Sequence, residues 1–375
     1  MIQELLNYFN PLDHLELWLA IAFLIAFFMS QSAFPAIFNV AEAKHLMDEP
    51  TSRSTHSEKT PTLGGISIYL SLVVVITTVG ALLDTKILLL LLGGLTILFF
   101  LGLKDDLLIL SPKKKFFGQL LAAGLLIVFT DTRILGLSGL LGITILPYWF
   151  SVTLTLFVYI LLINAFNLID GVDGLAGTLA LISSAAFTFI FITIKDVSMA
   201  TIAIGLIGAL LPFLRLNFSK TNKIFMGDTG SMIIGFLLAF FVVKFINYSQ
   251  THQGSEFYNS APVLAFAIVF FPLLDTLRIF LIRVLIHKKS PFVADRNHLH
   301  HRFLQLGFTH IRTTVCIVCI NAIIILLSYF LRDIDIHIQF VLMLVIGSLL
   351  YSVFFIWNWL SINFSGSKAF KHTVD

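Results

Sequence analysis

Charge is what this chain has least of. Asp, Glu, Lys and Arg make up only 12% of its 375 residues, while 58% are hydrophobic, and the mean hydropathy is +0.95. A water-soluble domain has no interior large enough to hide that much apolar surface, which excludes a soluble enzyme. Cysteine is nearly missing too. Cys316 and Cys319 form a C-x-x-C inside an apolar run, where two small buried residues account for them without a disulfide or a thiolate metal site. The net charge is +3, yet no basic stretch is interleaved with aromatics, so nucleic acid is not expected as a partner. The first residues carry Glu4 and Asp13 but no Lys or Arg. No small-residue cleavage site follows, so the first apolar run is expected to stay in place and not to be removed as a signal peptide. With no internal repeat and no low-complexity linker, residues 1–375 read as one integral membrane domain.

What is present is a succession of apolar runs, each near the roughly 20 residues that a helix needs to cross a hydrocarbon core of about 30 Å. They fall near 17–38, 63–83, 87–103, 116–131, 148–166, 176–194, 198–214, 230–248, 261–286, 312–331 and 338–362. The expected fold is therefore an all-α, polytopic transmembrane bundle of about 11 spans (10–11), since lipid offers backbone groups no outside partner. Alternating the loops between two sides distributes the 24 Lys and Arg very unevenly. One side keeps only Lys86, Arg133, Lys195, Lys244 and Arg332. By the positive-inside rule the basic side is cytoplasmic, which puts the N-terminus outside and the C-terminus in the cytoplasm.

Five polar segments lie on the basic side. Arg53 to Gly65 ends in Gly64-Gly65 directly before a span, with Lys59 available to a phosphate, although a plain helix-starting turn explains this segment better. Asp105-Asp106 opens the next loop, followed by Lys113-Lys114-Lys115. Adjacent carboxylates repel unless a cation or a proton lies between them, so the pair suits Mg²⁺ binding or a general base, or else a solvated helix end. In Asn164-Ala-Phe-Asn167-Leu-Ile-Asp170-Gly171-Val-Asp173-Gly174, the groups Asn167, Asp170 and Asp173 stand three apart and would share a helical face. An N-cap role accounts for Asp173 alone. It does not account for three polar groups at a membrane boundary, where ionised residues cost roughly 2.5–3.5 kcal/mol to insert. Gly227-Asp228-Thr229-Gly230-Ser231 places a carboxylate between glycines at a helix start, suited to a metal ligand or to a capped turn. The loop 287–311 carries His298-Leu299-His300-His301-Arg302. It lacks a cysteine and an evident fourth ligand for zinc, so an anion clamp for phosphates suits it better. Within the ninth span Pro272 is expected to kink the helix, and Asp275 with Arg278 reads as a structural i,i+3 ion pair.

Taken in order, these five segments resemble the polyprenyl-phosphate N-acetylhexosamine-1-phosphate transferases of glycosyltransferase family 4. The resemblance covers residues 53 to 302, and His298-Leu299-His300-His301 is similar to the bacterial branch that joins GlcNAc-1-phosphate to undecaprenyl phosphate. It implies transfer from a UDP-N-acetylhexosamine to undecaprenyl phosphate, giving a lipid-diphosphate sugar and UMP, with Mg²⁺ as cofactor and Mn²⁺ as an alternative ion. By the same resemblance, Asn167 and Asp228 hold the metal and Asp173 contacts uridine. Asp105 acts on the lipid phosphate with Asp106 alongside, and Asp170 lies near the metal. Lys59, Lys115, His298, His300, His301 and Arg302 meet the anionic substrates. Direct attack and a covalent carboxylate intermediate both stay open. The implied setting is the bacterial cytoplasmic membrane, with the site facing the cytosol, lipid as a partner, and a homodimer compatible.

Rival readings are the UDP-MurNAc-pentapeptide branch of the same family, an ion-coupled transporter and a lipid diphosphate phosphatase. Transporter sites sit near the bilayer midplane at repeat interfaces, whereas these groups lie at span ends and no repeat is visible.

Overall fold

The computed structural model describes residues 14–48, 60–80, 83–108, 110–252, 254, 256–286, 288 and 298–369, excepting the side chains of 286 and 354–369. Its helices are α1 (Leu15–Ala43), α2 (Gly64–Thr78), α3 (Thr85–Leu108), α4 (Pro112–Thr130), α5 (Tyr148–Ile169), α6 (Leu175–Thr193) and α7 (Val197–Asn217). After these come α8 (Gly227–Thr251), α9 (Ala261–Ile268), α10 (Phe270–Leu281), α11 (Leu299–Gln305), α12 (His310–Phe330) and α13 (Ile336–Ala369). The only strands among the described residues are β1 (Met47–Asp48) and β2 (Thr60–Pro61), an antiparallel pair matching Met47 to Pro61 and Asp48 to Thr60. The fold is all-α and polytopic, as its apolar composition requires.

Eight helices among the described residues are long and apolar enough to cross a membrane, or nine if α9 and α10 form one span. Each of the eleven expected runs coincides with a helix or with that bent pair. The two that fall short of spanning length or apolarity do so for visible reasons. With 15 residues, α2 reaches only about 22 Å, and α4 carries Lys113, Lys114 and Lys115 in its opening turn.

Burial follows apolarity around each helix. Phe236, Phe240 and Phe241 of α8 are fully buried, as expected of a helix that is hydrophobic on every side and enclosed by others. By contrast, α1 and α13 leave residues such as Phe28 and Val341 exposed, facing where lipid would lie. The approach of α2 to α8 is close enough to demand glycine: a Cβ on Gly65 would lie 2.2 Å from the Gly230 nitrogen. Backbone bonds join the segments leading into these two helices, from Phe225 N–H to Pro61 O at 2.8 Å and from Gly65 N–H to Met226 O at 2.9 Å.

The ninth apolar run is broken, and by more than a kink: α9 and α10 meet at 81°. Pro272 supplies the reason. It has no N–H for the carbonyl four residues earlier and its ring clashes there, and that residue is Ile268, the last of α9. The freed groups are satisfied from neighbouring helices. Ile268 O accepts from Ser183 Oγ at 3.0 Å and from Asn321 Nδ2 at 3.2 Å. Asn321 Oδ1 in turn accepts the Phe271 N–H at 3.0 Å. A single buried amide on α12 thus bridges both sides of the break, which lipid would otherwise leave unpaired. Replacing Asn321→Leu should lower stability by about 1–3 kcal/mol, measured as a lower midpoint of thermal unfolding in detergent, whereas Asn321→Gln should lose less.

Candidate active site

The described polar segments all come to one end of the bundle, around the first turn of α8. That turn begins with Gly227 at φ +71°, where a Cβ would lie 2.2 Å from Thr62 O, so only glycine fits. The first N–H groups of a helix have no partner within it, and here a carboxylate from another helix takes them. Asp106 Oδ1 accepts the Asp228 N–H at 2.7 Å, and its Oδ2 accepts the Thr229 N–H at 3.1 Å and the Thr229 hydroxyl at 2.6 Å. The adjacent carboxylates expected to work as a pair therefore have separate surroundings, with Asp106 turned to the α8 terminus.

Asp105 is buried and faces Lys115, with which it forms an ion pair, and it accepts the Leu110 N–H at 2.5 Å. The same ammonium lies 2.5 Å from Asp228 Oδ2, so Lys115 sits between two carboxylates. Asn167 Nδ2 donates to Asp228 Oδ1 at 2.8 Å and to Ser231 Oγ at 3.0 Å. Lys115, Asn167, Asp105, Asp106 and Asp228 thus form one connected network from α3, α4, α5 and α8.

Asp170 closes α5 as its C-terminal cap. Burial first, then repulsion from Asp228, Asp106 and Asp173, holds its carboxyl well above the usual carboxylate range. Asp173 behaves oppositely. Burial pushes it up, but hydrogen bonds and charge from His310 and Lys223 outweigh that and hold it below its ordinary value. Lys223 Nζ lies 2.6 Å and His310 Nδ1 3.2 Å from Asp173 Oδ2. The Asp173 carbonyl accepts from Thr314 Oγ1 at 2.8 Å, and the next N–H, of Gly174, donates to Asn217 Oδ1 at 2.6 Å.

The histidine cluster is folded inward. His298 Nδ1 and His300 Nδ1 lie 3.2 and 3.0 Å from Asp275 Oδ2, and all three side chains are buried. The Asp275–Arg278 pair stretches to 4.0 Å, so the closer partners of Asp275 are these imidazoles. His300 Nε2 and His301 Cε1 border the backbone of Gly171, 3.8 and 3.9 Å from where its Cβ would be. Arg302 is exposed on α11. Lys59 lies outside the described residues, as does most of the Arg53–Gly65 segment.

Sequence reasoning missed His310, Lys223 as a partner of Asp173, Asn217, and the inward role of Asp275. His310 had one signal: it follows Thr309, which caps α12 by accepting the Arg312 N–H, and so stands at a helix start on the basic side. Nothing in the local pattern marked Asn217, and the i,i+3 spacing to Arg278 marked Asp275 only as half of a structural ion pair.

Magnesium takes hard oxygen ligands, and the chemistry of the set around Asp228 suits it. Burial first, and then the carboxylates of Asp228, Asp106 and Asp173, disfavour the ionised form of Asp170, a cost that a divalent cation among them would relieve. A second group with ion-holding composition is Asp275, His298 and His300, whose ligand atoms lie within 4.8 Å of one another; an imidazole-rich set favours transition metals over magnesium.

Carboxylates and lysines gathered at one end of an apolar helical bundle, with the relatives below, define a multi-pass membrane enzyme of the phospho-sugar transferase class. Comparison with known proteins gives the particular group. The family model for glycosyl transferase family 4 matches residues 88–246. The undecaprenyl-phosphate alpha-N-acetylglucosaminyl 1-phosphate transferase of Escherichia coli strain K12 is 31% identical over 291 residues, covering 76% of each chain. The decaprenyl-phosphate N-acetylglucosaminephosphotransferase of Mycobacterium tuberculosis H37Rv is 33% identical, covering 72% of this chain and 71% of its own. The chain belongs to glycosyl transferase family 4.

Charge excess at Asp170 makes a prediction that needs no turnover. Asp170→Asn should raise the thermal midpoint of the metal-free protein by roughly 2 °C or more, because it removes a carboxyl whose ionised form the fold disfavours. The gain should grow as pH rises from the ordinary carboxylate pKa toward the raised one and level off above it, and added Mg²⁺ should stabilise the wild type more than the variant.

Proposed function

We propose that the chain transfers GlcNAc-1-phosphate from UDP-GlcNAc to undecaprenyl phosphate at the cytosolic face of a bacterial inner membrane. The observation that carries this reading is Lys115 held between Asp105 and Asp228, beside Asn167, where helices of a lipid-embedded bundle end. Such a site is open both to a water-soluble nucleotide and to a phosphate anchored in lipid. In the reaction an oxygen of the lipid phosphate attacks the β-phosphorus of the nucleotide sugar. The bond from that phosphorus to the bridging oxygen breaks, and UMP leaves.

Two anions must be brought together before that attack, so charge compensation dominates the requirement. Asp228 and Asn167 would hold Mg²⁺, with Asp170 near it; the ion, when bound, neutralises diphosphate oxygens and favours departure of UMP. Lys115, between Asp105 and Asp228, would offer its ammonium to a phosphate oxygen of the substrates. Asp105, paired with Lys115, orients the incoming lipid phosphate, which is mostly ionised at neutral pH and needs positioning more than deprotonation. Asp106 fixes the α8 terminus and hence the carboxylate of Asp228. Asp173, held ionised by Lys223 and His310, suits recognition of the uridine end. The names of the two relatives support the sugar and a polyprenyl acceptor, and the uneven distribution of Lys and Arg supports the cytosolic orientation and a cytoplasmic C-terminus.

Purified protein supplied with Mg²⁺, prenyl phosphate and UDP-GlcNAc should release UMP only when the acceptor lipid is present. Chelation should abolish release, and Asp228→Ala should reduce it roughly 100-fold or more. Activity unchanged in that variant contradicts the metal assignment, and UMP release without acceptor lipid contradicts transfer.

A further inference from the structure

The broken ninth span carries a buried carboxylate that the reaction as described leaves unused. Asp275 sits in the second turn of α10, fully enclosed, and three donors converge on it. Oδ1 accepts the Leu299 N–H at 2.7 Å, while the Nδ1 atoms of His298 and His300 stand 3.2 and 3.0 Å from Oδ2. An ionised carboxylate only accepts hydrogen bonds, so both rings must place a proton on Nδ1. That leaves Nε2 as the ring atom of His300 available to anything else. It is buried and has no hydrogen-bond partner among the described residues. It borders Gly171, 3.8 Å from the position of a Cβ, in the turn between Asp170 and Asp173.

We propose that Asp275 is a positioning residue for the donor substrate, accepting the Nδ1–H of His300 so that Nε2, protonated when the anion is bound, faces the Asp170–Asp173 turn and donates to a diphosphate oxygen of the nucleotide sugar. The logic is that of a carboxylate behind an imidazole whose far nitrogen meets a ligand: the carboxylate accepts the Nδ1–H, holds the ring angle and offsets the charge of the imidazolium that donates to phosphate. The 81° bend at Val269 is what carries Asp275 to this place, and Asn321 secures the bend. His298, stacked on His300 with ring centroids 5.3 Å apart, takes the second acceptor position on Oδ2 and keeps His300 from rotating. The alternative occupant of the same three ligands is a transition metal, which would need Nδ1 of both rings free of protons.

The inference rests on the transferase reading, and the two fail separately. In Asp275→Asn the shape is kept, but the negative charge behind His300 is lost, and the NH₂ must face either both Nδ1 atoms or the Leu299 N–H. KM for UDP-GlcNAc should rise roughly 10–100-fold, while KM for prenyl phosphate stays within about twofold. The effect should vanish when His300→Ala is already present, since residues acting through one another are not additive. Gly171→Ala, whose methyl would rest at ordinary contact distance from Nε2, should raise the same KM. Binding of UDP-GlcNAc to the full-length protein, measured without acceptor, gives a readout apart from turnover and should weaken in both variants. Unchanged donor affinity in Gly171→Ala, or in folded Asp275→Asn, overturns the inference while leaving an active wild type intact as a transferase. Full additivity with His300→Ala also overturns it, as does stoichiometric zinc in the purified protein that Asp275→Asn removes. A wild type that neither binds UDP-GlcNAc nor releases UMP overturns both.

Discussion

Five carboxylates held close together at the end of a low-dielectric bundle repel one another, and much of the architecture answers that repulsion. Asp105, Asp106, Asp170, Asp173 and Asp228 come from α3, from the turn after α5 and from the start of α8. Each meets a different solution. Asp106 is satisfied by the unpaired N–H groups of the α8 first turn, where the helix dipole favours negative charge. Asp105 and Asp228 share Lys115. Asp173 is flanked by Lys223 and His310. Asp170 has no comparable partner among the described residues, and burial first, then its carboxylate neighbours, raise its carboxyl. A site with unrelieved negative charge, beside an amide and a lysine, is prepared for a divalent cation and for the phosphate groups that follow it.

The membrane imposes the second condition. Because backbone groups find no partner in lipid, irregular chain is confined to helix ends or must be repaired by side chains. The turns that hold the carboxylates are at helix ends. The break between α9 and α10 falls within one apolar run and is repaired by Asn321 and Ser183. These two polar residues on neighbouring helices let the chain bend sharply enough to deliver Asp275 beneath the histidine loop. A device for backbone satisfaction in one place thereby sets side-chain geometry in another.

Much of this was legible in the sequence because it rests on composition and spacing. Long apolar runs fix helices, and Asn167, Asp170 and Asp173 recur at a helical interval. The family was legible because five polar segments occur in order on one side. What was not legible depends on tertiary neighbours. Asp105 and Asp106 look equivalent in a string of letters, and only the placement of Thr229 against Asp106 distinguishes them. Asp275 and Arg278 satisfy the i,i+3 rule, yet the carboxylate is closer to two imidazoles more than twenty positions away. Pro272 announced a bend, but the angle and the amide that sustains it came from α12.

Chemical identification of the lipid product tests the account most directly. Mass spectrometry of the lipid fraction after incubation with Mg²⁺, prenyl phosphate and UDP-GlcNAc should reveal prenyl diphosphate bearing GlcNAc, equimolar with the UMP released. Prenyl phosphate recovered unchanged alongside UMP, or a sugar attached through a single phosphate, would contradict it.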